Sequence, residues 1–449
     1  MPATRTPGPT GLPLLGSLLD LKRDPLRAYL DARRDHGDVV RFAAGPPGLR
    51  AEFHMVFSPE GAQQVLATQA ANFRKENVFY EEIRQTFGNG LLTSQDTDYQ
   101  RQRRLVQPLF TRRRVDGYAE AIGIEAEALT ERWQRVPGGV VDAADEMSRF
   151  ALRAVARILF GADVEAAIDV VRTRFPVLGR YVRGRGVSPL RVPRSWPTPG
   201  NREARAAENE LYGVCDEIIA RRAGQPADDL LGLLADARGE DGEALDATEL
   251  REQVLIFLLA GHETTATSLT FALHLLGRHP EQQDRARAEV RAVLGDGRAP
   301  RADDLAALPH LTRVLKEAMR LYPAAPVIGR RAAADCVVDG VPIPAGADVL
   351  VAPYVTHRHP EHWSDPERFD PERFTPEREA ARHRYAWFPF GGGPRACIGQ
   401  HFSMLESVLG LAVLLRRFEV AAVDTDVRLT HGITLGVEGE VRIALTEAT

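Results

Sequence analysis

Between the capping-type start Asp246-Ala-Thr-Glu249 and the breaker His279-Pro280 the chain carries one continuous helical pattern. Its length of about 30 residues corresponds to ~45 Å at 1.5 Å per residue, enough to cross a whole domain. Any fold that accommodates it must be built around it. The middle of this helix is unusual. In Ala260-Gly261-His262-Glu263-Thr264-Thr265, a glycine and two β-branched hydroxyl residues weaken an otherwise strong helix former, and a local opening is expected there. A carboxylate at the end of the apolar run Val254 to Ala260 is costly unless it has a partner or a task. Composition alone leaves a structural kink and a proton-handling site level with each other.

Around this helix, residues 111 to about 290 read as successive amphipathic helices separated by breakers such as Pro137-Gly138-Gly139. Strand-like material is local: 39–42, 54–57, 336–344 with its Asp339-Gly340 turn, 348–352 and 427–445. The expected class is therefore mainly α with a small β region. No internal repeat, low-complexity tract or long linker divides the chain, so residues 1–449 read as one domain, with 1–20 as an extended lead-in. The net charge of -5 gives no overall field for nucleic acid. The run Val254 to Ala260 is far short of the ~20 residues that span a bilayer. The N-terminus lacks a basic start followed by an apolar stretch. Three scattered cysteines, Cys215, Cys336 and Cys397, fit a reducing compartment better than a disulfide framework. A soluble, cytoplasmic protein without a membrane anchor is expected.

The segment Phe388-Pro-Phe390-Gly-Gly-Gly-Pro-Arg395-Ala-Cys397-Ile-Gly399 precedes a helical pattern over 400–418. Cys397 thus stands at a helix N-terminus, where dipole and free N–H groups favour a thiolate, a strong metal ligand. Glycines 391–393 and 399 remove side chains around the sulfur and let a flat ligand approach. Arg395 is placed to pair with an anionic group on it. The bland alternative is a Gly-rich turn ending in a buried structural cysteine.

This segment resembles the cytochrome P-450 haem loop, Phe-x-x-Gly-x-Arg-x-Cys-x-Gly, at every fixed position from Phe390 to Gly399. The Ala260 to Thr265 segment resembles the oxygen-activation motif of the same family, and Glu317-x-x-Arg320 followed by Pro371-Glu-Arg373-Phe resembles its salt-bridged scaffold. A near copy, Pro366-Glu-Arg368-Phe, stands five residues earlier; Arg373 is preferred because it lies nearer the haem loop. The resemblance covers essentially the whole chain. It implies the P-450 fold, with haem b between the long helix and the Cys397 loop, and Cys397 as axial ligand. It places Arg395, Arg330 and Arg103 on the propionates, with Tyr99 where many relatives have Trp. Phe390 would pack near the sulfur, and Ala260 and Gly261 would lie over the distal face. Thr264 would hydrogen-bond the iron-bound oxygen or its water, and Glu263 would relay protons. Glu317, Arg320 and Arg373 would be structural.

The activity implied is insertion of one oxygen atom from O2 into a small molecule. Rivals are a peroxygenase or isomerase, disfavoured by the intact Glu263 and Thr264, and a haem-binding sensor without turnover. By family analogy, 73–92, helices from about 160 to 215, Val327-Ile328 and Ile433 line the pocket. They are mostly apolar, which suggests secondary metabolism with a terpenoid first, then a fatty acid, steroid or polyketide. Arg101, Arg103, Arg104, Arg112, Arg113 and Arg114 form a basic face expected to receive a ferredoxin or flavodoxin served by an NAD(P)H-dependent reductase. Too few residues follow Cys397 to hold a reductase. His357, His359 and His362 read as a polar loop rather than a metal site.

Overall fold

A computed structural model describes residues 6–46, 50–160, 165–187, 191–222, 229–238, 242–295 and 297–447. The central pattern is a helix, Ala247–Arg278. Asp246 accepts from the Glu249 backbone N–H, and the Glu249 carboxylate accepts from the Asp246 N–H, closing a capping box. Pro280 ends the helix by opening the next one, Pro280–Leu294. Contrary to expectation, the helix is unbroken through 260–265. Of the two hydroxyls expected to open it, Thr264 donates back one turn to Ala260 O at 2.8 Å and Thr265 lies 3.5 Å from Ser403 Oγ; Thr267 and Thr270, further along, also donate back, to Glu263 O at 2.9 Å and Ala266 O at 2.7 Å.

Helices Ala143–Phe160, Pro199–Arg222, Pro309–Leu321 and Gln400–Arg417 pack around this axis. They bury Leu255, Leu258, Leu269, Leu273 and Leu276, each worth roughly 1.5–3 kcal/mol of apolar transfer. Among the described residues Ala247–Arg278 is the one helix long and apolar enough to cross a membrane, and most of that stretch is covered by protein.

The β structure is minor and peripheral. One sheet has the order Val39–Ala44, Ala51–Val56, Asp348–Val351, Ile328–Ala332, Phe73–Arg74. Its Ala51–Val56 and Asp348–Val351 strands run parallel, joining distant parts of the sequence. Cys336–Val338 and Val341–Ile343 form a hairpin through Asp339 and Gly340, both at positive φ. Near the C-terminus lie the hairpin Leu429–His431/Leu435–Val437 and a three-stranded sheet of Val140–Asp142, Arg442–Glu447 and Phe418–Ala422. Four strands were not visible in the sequence. Three are too short or too close to a helix end to show alternation; the fourth, Ile328–Ala332, carries Gly329, Arg330 and Arg331 at its centre and does not read as a strand. The lead-in is shorter than expected because Leu18–Arg23 is helical; residues 1–5 lie outside the described residues.

Candidate haem and oxygen site

The Cys397 loop reverses through Gly391 and Gly393, at φ of 71° and 63°, and closes when the Cys397 N–H donates to Phe390 O at 2.9 Å. A Cβ on Gly393 would sit 1.9 Å from Leu66 O, and one on Gly392 would meet the Tyr385 ring at 2.5 Å. These glycines therefore seat the loop against protein, a narrower task than opening a path for a ligand. At Gly399 an added Cβ would point at the sulfur, at 3.9 Å. Trp387 packs edge-on to Phe390.

The helix N-terminus was expected to make Cys397 a thiolate. Burial instead pushes the thiol above its ordinary value, against the pull of the Gly399 N–H, Arg103 and Lys75. A metal cation on the sulfur is what would displace the proton that burial favours. Although surrounded by protein, Cys397 is exposed, so it borders internal space.

Three cationic side chains share this neighbourhood. Lys75, Arg330 and Arg395 are buried or half-buried, and each is pulled below its ordinary pKa first by burial; Arg395 comes down to about 10. Lys75 and Arg395 are further depressed by other cations in the group, and among the described residues none of the three has a carboxylate partner by hydrogen bond or ion pair. Lys75 donates to Leu92 O at 2.9 Å, and Arg330 to Gly329 O at 2.7 Å. Arg395 donates to Ser94 O and Gln95, lies 3.4 Å from the Tyr99 ring centre, and leaves its Nη1 buried without a partner. Such a cluster in a low-dielectric interior is costly unless an anion completes it. Lys75 was missed in the sequence. The available signal was its scarcity, since the chain has only three lysines, Lys22, Lys75 and Lys316.

Tyr99 is engaged elsewhere than expected. Its hydroxyl donates to Pro394 O at 2.6 Å and accepts from Arg103 Nη1 at 2.8 Å, while Arg103 also donates to Ala396 O at 3.0 Å. Both residues thus grip the cysteine loop itself.

On the long helix Ala260 is exposed although its neighbours on the preceding two turns are buried, so it too borders internal space. Gly261 does not share that face: a Cβ there would strike Val155 at 2.9 Å, so its task is close packing with Ala143–Phe160. His262 is buried, bonded to Leu258 O and edge-on to Phe175; burial brings it to about 4, leaving it neutral. Glu263 is pushed up to about 7 by burial, opposed by a hydrogen bond from Thr434 Oγ1 at 2.5 Å. Thr264 is half-buried.

Beneath the loop, Arg320 forks onto Glu317 at 2.7 and 2.8 Å, and Arg373 reaches Glu317 at 3.3 Å; all three are buried. Arg368 of the near copy is exposed and contributes its carbonyl to Arg320. His357 and His359 are buried, which corrects the polar-loop reading. His357 Nε2 accepts from the Phe388 N–H at 2.9 Å, and His359 lies 3.1 Å from Asp38. The segment 73–92, expected to line the pocket, is less apolar than read from the sequence, because buried Glu82 on Val78–Phe87 pairs with Arg185 at 2.7 Å and Arg194 at 3.2 Å.

With this geometry in place, a family profile described as Cytochrome P450 matches residues 6–436. The chain belongs to the cytochrome P450 family. Cyclooctat-9-en-7-ol 5-monooxygenase of Streptomyces melanosporofaciens is 37% identical over 426 residues, covering 94% of this chain and 91% of its own. Pentalenene oxygenase of Streptomyces avermitilis is 37% identical over 449 residues, covering 98% and 97%. The crystal structure of the cytochrome P450DA heme domain superposes with a TM-score of 0.89 at 28% identity, covering 100% of this chain and 98% of that one. The protein is a cytochrome P450 monooxygenase, a haem-thiolate enzyme that uses O2 and electrons from redox partners on a small molecule.

Proposed function

We propose that haem b binds between Ala260 and Cys397, with the Cys397 thiolate on iron and Lys75, Arg330 and Arg395 around the propionates. The supporting observation is the convergence of an accessible sulfur inside the molecule with three interior cations that lack carboxylate partners. Phe390, Gly399, Arg103 and Tyr99 hold the loop, while Glu317, Arg320 and Arg373 hold the layer beneath it. Haem bound here supplies O2 activation and transfer of one oxygen atom, in the overall reaction RH + O2 + 2e⁻ + 2H⁺ → ROH + H2O. The protein's own share is to exclude water, orient substrate and deliver protons through Glu263 and Thr264. The dithionite-reduced protein with CO tests the assignment: a strongly red-shifted Soret band is expected in the wild type and its loss in Cys397→Ala. A wild type without that band overturns the reading.

The substrate we infer is a terpenoid of secondary metabolism. Support comes from the names of the two relatives above and from half-buried Phe79, Tyr80, Leu92, Tyr181 and Ile433 packed on the core near the proposed pocket. Spin-state titration with cyclic sesquiterpenes and diterpenes beside saturated fatty acids distinguishes the classes; a response to fatty acids alone overturns the terpenoid reading.

Electrons would come from NAD(P)H through a reductase and a ferredoxin or flavodoxin. The basic face is smaller than the sequence suggested, because Arg101 pairs with Glu249 and Arg103 turns inward. Arg104, Arg112 and Arg113 remain exposed and supply the docking charge in this reading. Reversing Arg112 and Arg113 to Glu should slow electron delivery and flatten its salt dependence; unchanged transfer overturns it. A cytoplasmic location, suggested by three free cysteines, and a single catalytic domain complete the proposal.

A further inference from the structure

The turn region of the hairpin Leu429–His431/Leu435–Val437 meets the long helix through two hydroxyls, those of Thr434 and Thr267, at Glu263 and one turn beyond it. Thr434 Oγ1 donates to Glu263 Oε2 at 2.5 Å, while Thr267 Oγ1 donates to Glu263 O at 2.9 Å and lies 3.1 Å from Leu435 O. In the same state the Thr264 hydroxyl is bonded back to Ala260 O at 2.8 Å, so acid and alcohol face other partners. We propose that Thr434 is a positioning residue for Glu263: its hydroxyl holds the spent carboxylate against the hairpin and lets go of the protonated acid, which then turns towards Thr264. The inference rests on the reading of Glu263 as a proton donor.

The physical basis is the difference between two hydrogen bonds. A hydroxyl donating to a carboxylate makes a short, charge-assisted bond, roughly twice as strong as the same contact to a neutral carboxyl. Protonation from solvent therefore loosens the tie, the loaded carboxyl passes its proton to the Thr264 side, and the carboxylate left behind is recaptured by Thr434. One proton enters and one leaves per cycle, with no other bond made or broken. Neighbouring groups leave this control to Thr434. On the same helix His262 is neutral and turned to Leu258 O. His431 on the hairpin is neutral too, burial bringing it to about 4. From Glu165–Val187, Arg172 acts on His262 and Arg183 on His431. On Gln400–Arg417, Glu406 is held protonated by burial, with Thr265 between it and the site. Burial and the Thr434 hydroxyl are the influences on Glu263 itself.

The test is infrared titration of buried carboxyl C=O stretches in the holoenzyme, with the Glu263 band assigned by its loss in Glu263→Gln and the Glu406 band by Glu406→Gln. Thr434→Val, which keeps the side-chain shape, should raise the Glu263 midpoint by about one pH unit, the size of one lost hydrogen bond to a charged group, and shift its band. Thr434→Ser should restore both, and the reduced-CO band certifies folding of each variant. An unmoved midpoint and band in Thr434→Val overturn the proposal. Separately, the ratio of hydrogen peroxide released to NAD(P)H consumed, with a surrogate ferredoxin and reductase, is expected to change in Glu263→Gln. If it does change while Thr434→Val leaves the carboxyl unmoved, only Thr434 loses its role. If it does not, the proton-donor reading falls and the proposal with it.

Discussion

Lys75 has opposite meanings in the loaded and unloaded protein. Its ammonium is buried beside Arg330 and Arg395, which opposes folding until an anion arrives, and the same charge then strengthens binding of that anion. Lys75→Met should therefore accelerate haem transfer to an acceptor protein by about tenfold or more, the scale of one charge-assisted hydrogen bond. The same variant should make the haem-free chain more resistant to urea. Haem retention unchanged in Lys75→Met would remove the residue from the propionate site. Residues of this kind explain what the sequence could and could not show. Cys397, Arg395, Glu263 and Thr264 were legible because each sits in a short contiguous pattern whose chemistry depends on spacing along the chain. Lys75, Thr434 and His357 were not, because each acts on residues distant in sequence, Lys75 on Arg330 and Arg395, Thr434 on Glu263 at 171 positions and His357 on Phe388 at 31, and only the folded chain brings them there.

Among elements, those with strong periodicity were legible and those made by pairing were not. The long helix announced itself by its cap, its apolar run and its terminating proline. Ile328–Ala332 became a strand only by lying between Asp348–Val351 and Phe73–Arg74, an arrangement no local pattern encodes. The cysteine loop shows the same division. Its glycines were visible, but their purpose, contact with Leu66 O and the Tyr385 ring, depends on an element more than 300 residues earlier for Gly393. Gly393→Ala combines that collision with a φ of 63°, and a cost of about 3 kcal/mol or more is expected. Urea denaturation should show it, together with a reduced-CO band displaced towards the unshifted position; a stability change under about 1 kcal/mol would mean the loop relaxes freely. Elsewhere, Glu82 joins Val78–Phe87 to the end of Glu165–Val187 and to the segment carrying Arg194. Glu82→Gln weakens both ion pairs while keeping the shape, so amide exchange should quicken in 78–87 and 192–201 and leave Ala247–Arg278 unchanged. Uniform exchange across all three would show that these segments do not open separately.

For the whole molecule, two carboxyls on the central helices make stability depend on pH in a direction opposite to the usual acidic residue. Burial raises Glu263 to about 7 and Glu406 well above its ordinary value, and neither Glu406 oxygen has a well-formed hydrogen bond. A carboxyl whose folded pKa is raised binds its proton more tightly folded than unfolded. The stability it contributes is complete below the unfolded value and is lost as pH rises through the folded one. Glu263 therefore acts between about pH 4.5 and 7, and Glu406 over a window reaching further into the alkaline range. Because Glu263 is only half-buried, its share is discounted to roughly 1–2 kcal/mol. Holoenzyme urea midpoints should accordingly fall between pH 5 and 8 more steeply in the wild type than in Glu263→Gln, and Glu406→Gln should flatten the remaining alkaline decline. Since glutamine is neutral at every pH, it reproduces the protonated form, and both variants should approach the wild type at pH 5 and exceed it at pH 8. Curves that stay parallel would mean that internal water solvates these carboxylates well enough to cancel the cost of their burial, and would place the proton supply of the site in that water rather than in the two acids.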